Sequence, residues 1–137
     1  MTLAIEGLCP LVQVFDMPTS LHFYRDVLGM AEVGKSGSGD RVGWAWLQRG
    51  SAQLMLNTAY EDDARPAAPD PARMAAHADT ILFFGCEDPD GAYRYLTTQG
   101  VKADAPKTTH YGMRQVYLSD PDGYGVCLQR RAQGAER

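Results

Sequence analysis

The chain has 137 residues, a length that buries one core, so a single domain over 1–137 is expected. Hydrophobic residues make up 45% and charged residues 22%, a balance that excludes wholesale disorder and a fibrous repeat. The formal charge of −4, with no run of Lys or Arg able to neutralise consecutive phosphates, excludes nucleic acid as an expected partner.

The first eight residues lack the basic start and long apolar core of a secretory leader, and no apolar run approaches a membrane span. The expected location is therefore the cytoplasm, with no membrane partner. Cys9, Cys86 and Cys127 are odd in number and widely spaced, which reads as reduced thiols packing as small apolar groups.

In chain order, residues 8–15 form a short apolar run that reads as a strand. Asp16 and Pro18 then start a helix whose Leu21, Tyr24, Val27 and Leu28 fall at helical spacing, and Gly29 ends it. A turn rich in Gly and Ser over 34–39 leads to strands over 42–48 and 52–57, joined by a hairpin through Arg49, Gly50 and Ser51. Residues 58–79 turn to Ala, Pro and Asp, with Pro66, Pro69 and Pro71, and mark a connector that has room for a short helix. Beyond it, 81–86 is a strongly apolar strand, with Phe84 and Cys86 expected beneath the following helix. That helix, 92–99, is entered through Asp88, Pro89 and Asp90 and closed by Gly100. Two further strands, 114–119 and 125–130, flank the turn Asp120-Pro121-Asp122-Gly123.

The order of elements thus repeats. Module one spans 7–57, the connector 58–79, module two 80–131 and a C-terminal tail 132–137. Such units bury one sheet face against helices and leave the other free.

Three segments carry a family resemblance: Val14-Phe15-Asp16-x-x-x-Ser20-x-x-Phe23-Tyr24-x-x-x-Leu28-Gly29, Tyr111-Gly112-Met113-Arg114, and Asp120-Pro121-Asp122-Gly123-Tyr124. Together they resemble the glyoxalase/bleomycin resistance protein/dioxygenase (vicinal oxygen chelate) superfamily, at family spacing over nearly the whole chain. The resemblance implies an α+β fold of two βαβββ modules, forming cupped mixed sheets with helices on the outer face. It also implies that the cups face one another across a cleft, within one chain or across a homodimer.

Metal-dependent members of that superfamily place a ligand, typically His or Glu, on the first and last strand of each module. Carried onto this sequence, the four positions fall on Cys9, Gln53, Ile81 and Cys127. Gln offers a weak carbonyl and Ile offers nothing, so no metal and no cofactor are expected. A thiolate site through Cys9 and Cys127 stays open but needs further donors. His22 in the first helix, His77 in the connector and His110 before Tyr111 read as surface residues; bringing His77 onto the strand demands a four-residue slip.

Alternation turns Leu11, Gln13, Gln53, Met55 and Asn57 toward the cleft, and Pro10, Val12, Val14, Leu54 and Leu56 toward the helix. The same reading gives Trp44, Trp46, Phe83, Gln115, Tyr117, Cys127 and Gln129 to the cleft, and Val116, Leu118, Val126 and Leu128 to the core. The expected surface is aromatic walls with uncharged amides, suited to a neutral or planar compound. An alternative buries Trp44 and Trp46 in a subunit interface.

The function expected is a metal-free small-molecule-binding protein that sequesters or carries a small organic compound as a homodimer. In motif detail it resembles the bleomycin-resistance branch, through Pro10 and the Tyr111-Gly112-Met113-Arg114 segment. Against bleomycin itself stands the mild acidity of the chain, which concentrates no carboxylates to meet a basic drug. The alternative is a lyase, isomerase or dioxygenase of the same fold, for which Tyr117 as acid and Cys127 as nucleophile lack an activating neighbour.

Overall fold

The computed structural model describes residues 1–60 and 65–132. Residues 61–64 of the expected connector and 133–137 of the expected tail lie outside them. The chain divides into two units, Met1–Ala67 and Ala68–Arg137, with the boundary inside the expected connector.

In the first unit, Asp16 opens helix α1 (Met17–Leu21) in extended geometry, its carboxylate accepting from the Thr19 N–H at 3.3 Å and from the Thr19 hydroxyl. Pro18 fits this first turn, where an N–H would have no helical partner. The helix then widens into a π-helical turn over His22–Val27, closed by the Leu28 N–H donating to the Phe23 carbonyl at 2.9 Å. The wider turn buries Phe23 and Tyr24 together, edge to face at 4.9 Å, beside Met17, Leu21 and Val27. Leu28, expected on the buried stripe, is half-buried, because a π turn departs from the 3.6-residue period behind that expectation.

Strands β1 (Leu11–Gln13), β2 (Ala31–Lys35), β3 (Trp44–Arg49) and β4 (Ala52–Asn57) form a mixed sheet in the order β1-β4-β3-β2. Only β1 and β4 run parallel. The run expected over 8–15 contributes three residues to the ladder, and β2 has no counterpart among the expected strands. Val12, Val14, Ala45, Leu47, Leu54 and Leu56 are each at most 5% exposed and form the core face under the helix. Each fully buried Val or Leu side chain among them contributes about 1.5–3 kcal/mol.

Two charged clamps fasten this packing. Arg25, in the π turn, reaches Glu32 on β2, Asp40 at 2.9 and 3.0 Å, and Asp26 at 2.7 Å, while Lys35 meets Glu32 at 3.2 Å. Arg65 donates to the Phe15 carbonyl at 2.9 Å, pairs with Asp16 at 3.1 Å and lies 5.7 Å over the Phe15 ring.

In the second unit, Asp70 caps the short helix α2 (Pro71–Ala76), which ends in a 3₁₀ turn over His77–Asp79. Strands β5 (Ile81–Gly85), β6 (Lys107–Thr108), β7 (Met113–Ser119) and β8 (Gly125–Arg131) form a second mixed sheet in the order β5-β8-β7-β6. Here β5 and β8 run parallel, and α3 (Pro89–Thr98), capped by Asp88, follows β5. Leu96 of α3 is buried, as are Val116, Leu118, Val126 and Leu128 on the core face of the sheet. Phe84 and Cys86, expected buried, are half-buried: Phe84 lies on the edge strand β5, and Cys86 follows the end of that strand. β6, like β2, was not expected from the sequence.

The expectation that His77 is a plain surface residue is corrected. Its ring stacks on Tyr124 with centroids 4.1 Å apart and planes 7° from parallel. Its Nδ1 lies 2.6 Å from the Asp122 carbonyl, which can only accept, so Nδ1 carries the proton. The same turn needs Gly123: φ is +89°, and a Cβ there would collide with the Met74 carbonyl of α2. The Asp120 carboxylate braces the turn, accepting from the Asp122 and Tyr124 N–H groups at 2.8 and 2.9 Å.

Each unit is therefore a βαβββ arrangement with one mixed four-stranded sheet, and the fold class is α+β. Among the described residues no helix is long and apolar enough to cross a membrane.

Candidate ligand-binding faces

On the first sheet, the residues that alternate with the core fall on the opposite face. Leu11 is level with Met55 and Met55 with Trp46; Gln13 is level with Asn57 and Asn57 with Trp44. Gln53 pairs with Gln48, one step beyond Trp46 and Met55 on that face. Trp44, Trp46, Gln53, Met55, Gln13 and Asn57 are half-buried, and Leu11 is 43% exposed. Gly34 makes room for the rings, since a Cβ there would stand 3.2 Å from the Trp44 ring and 3.5 Å from that of Trp46. The Trp46 indole N–H donates to Gln53 Oε1 at 3.1 Å, a diagonal cross-strand bond that alternation alone does not reveal.

On the second sheet, Phe83, Cys127 and Tyr117 form one cross-strand row, and Gly85, Gln129 and Gln115 the next. The rings of Phe83 and Tyr117 meet edge to face at 6.1 Å. Because β8 lies between β5 and β7, they meet across Cys127, which is 0% exposed although Phe83 is 51% exposed. Cys127 thus packs beneath the aromatic pair and presents no surface. Gln115 is also buried, with its amide nitrogen 2.8 Å from Gln129 Oε1 and 3.3 Å from the Tyr111 hydroxyl.

Burial pushes the Cys127 thiol up from its ordinary pKa, against a smaller opposing effect of its hydrogen bond with Tyr117. The Tyr117 hydroxyl is pushed up as well, by burial first and by the neighbouring thiol second. Both groups are held in their protonated forms, a poor start for a nucleophile or a base.

The four positions matching metal ligands supply little. The carbonyl of Gln53 is engaged by Trp46, Ile81 carries no donor and is 42% exposed, and the Cys127 thiol is buried and protonated. Cys9 lies ahead of β1 with its sulfur 3.9 Å from the Pro10 carbonyl. These residues do not fit a divalent ion. Among the described residues no group of three or more His, Cys, Asp or Glu is placed to hold one. His22 is exposed 3.5 Å from Asp26, and the exposed His110 meets Tyr111 edge to face.

An open polar cavity of about 410 Å³ in the second unit was not foreseen from the sequence. It is lined by Asp88, Asp90, Thr108, Arg114 and Arg130 among others, and its charges serve the fold. Arg114 bonds both oxygens of Asp90, at 3.0 and 2.7 Å, and Asp88 caps α3.

The model of the Glyoxalase/Bleomycin resistance protein/Dioxygenase superfamily matches residues 8–128. The chain belongs to this superfamily. Among solved structures, this superfamily member is similar to a protein from the mobile metagenome of V. Pseudocholerae, with 26% identity over 94% of this chain and 97% of that one and a TM-score of 0.65. It is similar in fold to TnmS3, an antibiotic binding protein from Streptomyces sp. CB03234, at 24% identity over 96% of this chain and 100% of that one, TM-score 0.69. A bleomycin-binding protein complexed with bleomycin shares the fold at 21% identity over 93% of this chain and 99% of that one, TM-score 0.67. No curated protein sequence matches the chain.

Proposed function

We propose that this superfamily member is a metal-free protein that binds a small aromatic or planar organic compound, sequestering or carrying it, as a cytoplasmic homodimer. The observation that carries this reading is the face of the first sheet opposite its helix, where Trp44 and Trp46 stand half-buried among Gln13, Gln53 and Asn57 with no charged side chain between them. Indole faces give large apolar contact at low conformational cost, and a few fixed amides orient what stacks on them. The fold shared with an antibiotic binding protein and a bleomycin-binding protein supports it. Gln53 and Ile81 at the ligand positions support the absence of a metal.

Catalysis by Tyr117 and Cys127 is disfavoured by their protonated state and by the lack of an adjacent base in the cross-strand row. The test is tryptophan fluorescence against a panel of planar aromatic compounds. Saturable quenching in the wild type is expected, with Trp46→Ala weakening binding by about tenfold through lost stacking. Quenching unaltered by both Trp44→Phe and Trp46→Ala would overturn this placement. Sedimentation of the same variants separates a ligand face from a subunit interface, since a changed oligomeric state without a change in binding assigns the tryptophans to the interface.

A further inference from the structure

The bond between Trp46 and Gln53 fixes more than the position of two side chains. An indole N–H can only donate, so the end of the Gln53 amide facing it must be the carbonyl. The opposite end, the NH₂ group, is thereby turned away from Trp46, and among the described residues no acceptor takes it up. The second sheet offers no such bias. There Gln115 meets Gln129, amide against amide, and each such pair leaves both a donor and an acceptor whichever way it is turned.

Beside the Trp46 ring, then, stands a pre-oriented donor with two N–H bonds, on a face whose other members, Leu11, Gln13, Trp44, Met55 and Asn57, carry no charge. A neutral ligand that stacks on an indole and satisfies this donor must carry a lone-pair acceptor at the edge of its planar ring. We propose that Gln53 is the specificity-determining residue of this face, and that it selects planar aromatic compounds bearing a carbonyl-type acceptor, such as aryl ketones and quinones, over the corresponding hydrocarbons. This rests on the ligand-binding reading above and narrows its chemical class. An unmet donor costs binding free energy when a hydrocarbon covers it, and this gives the discrimination its source.

The experiment compares 9-fluorenone with fluorene, which share a planar skeleton and differ by one carbonyl, through equilibrium binding to the full chain. The wild type should prefer the ketone by roughly fivefold or more, the size of one net hydrogen bond. Gln53→Glu keeps an oxygen for the Trp46 N–H but removes both donors, and should bring the preference to unity. Gln53→Met, which removes the amide without adding charge, should do the same should the carboxylate disturb folding. Equal affinity of the two probes for the wild type, or a preference undiminished in both variants, overturns the assignment while leaving the ligand-binding reading intact. Failure of both probes to bind the wild type overturns both.

Discussion

The thiol of Cys127 lies under the edge-to-face pair of Phe83 and Tyr117, and burial raises its pKa. Cys9 and Cys86 are half-buried. Treatment of native protein with an aromatic disulfide near pH 8 is therefore expected to consume Cys9 and Cys86 first, with Cys127 reacting only on unfolding. Phe83→Ala should open Cys127 to the reagent; equal rates for all three thiols in the wild type would contradict the packing. Gly123→Ala is expected to cost at least about 1–3 kcal/mol, read as a fall in the thermal midpoint, because a positive φ and a collision with Met74 act together. The sequence marked the side-chain faces well at this scale, since period-two alternation places Trp44, Trp46, Gln53 and Tyr117 without any tertiary information. It did not reveal that Cys127 is covered, because two rings leaning across a strand leave no periodic trace. The stacking of His77 on Tyr124 was equally silent, the two residues being far apart in the chain.

Among the elements, the first helix depends on its two clamps. Asp16→Ala removes the cap to Thr19 and the partner of Arg65, and is expected to cost about 0.5–2 kcal/mol of stability in denaturant unfolding. The Arg25 cluster makes a prediction about pH. Hydrogen bonds from Arg25 hold the Asp26 and Asp40 carboxyls below their ordinary range. Folded values below the unfolded ones mean that this stabilisation is fully present above the ordinary Asp pKa of about 3.9 and is lost as pH falls through the depressed values. Arg25→Gln should thus lower stability at neutral pH by about 1 kcal/mol or less, these groups being partly solvent-screened, and its difference from the wild type should fade in acid. A difference that persisted undiminished at low pH would place the effect in packing. The strongly patterned elements β3, β4, β7, β8 and α3 were legible, whereas β2 and β6 were not. The first reads Ala-Glu-Val-Gly-Lys, with Val33 45% exposed, and the second has two exposed residues, so neither carries an alternation to detect.

For the whole molecule, the donor set predicts indifference to chelation. Dialysis against EDTA should leave both the thermal midpoint and fluorenone binding unchanged, with no stoichiometric nickel, zinc, iron or manganese in the purified protein; a midpoint lowered by chelation and restored by one of these ions would overturn the metal-free reading. The repeat of element order, and with it the α+β class, was legible because Asp16 and Asp88 begin helices and Gly29 and Gly100 end them at corresponding points of the two halves. That, among the described residues, each ladder closes within its own half reaches beyond stability to the architecture of the coding sequence. A gene divided at the codons for residues 67 and 68 would give two open reading frames, each encoding a whole sheet, with the Arg65 clamp kept in the first and the His77 stack in the second. A division inside either half would instead strand part of one sheet on a separate polypeptide.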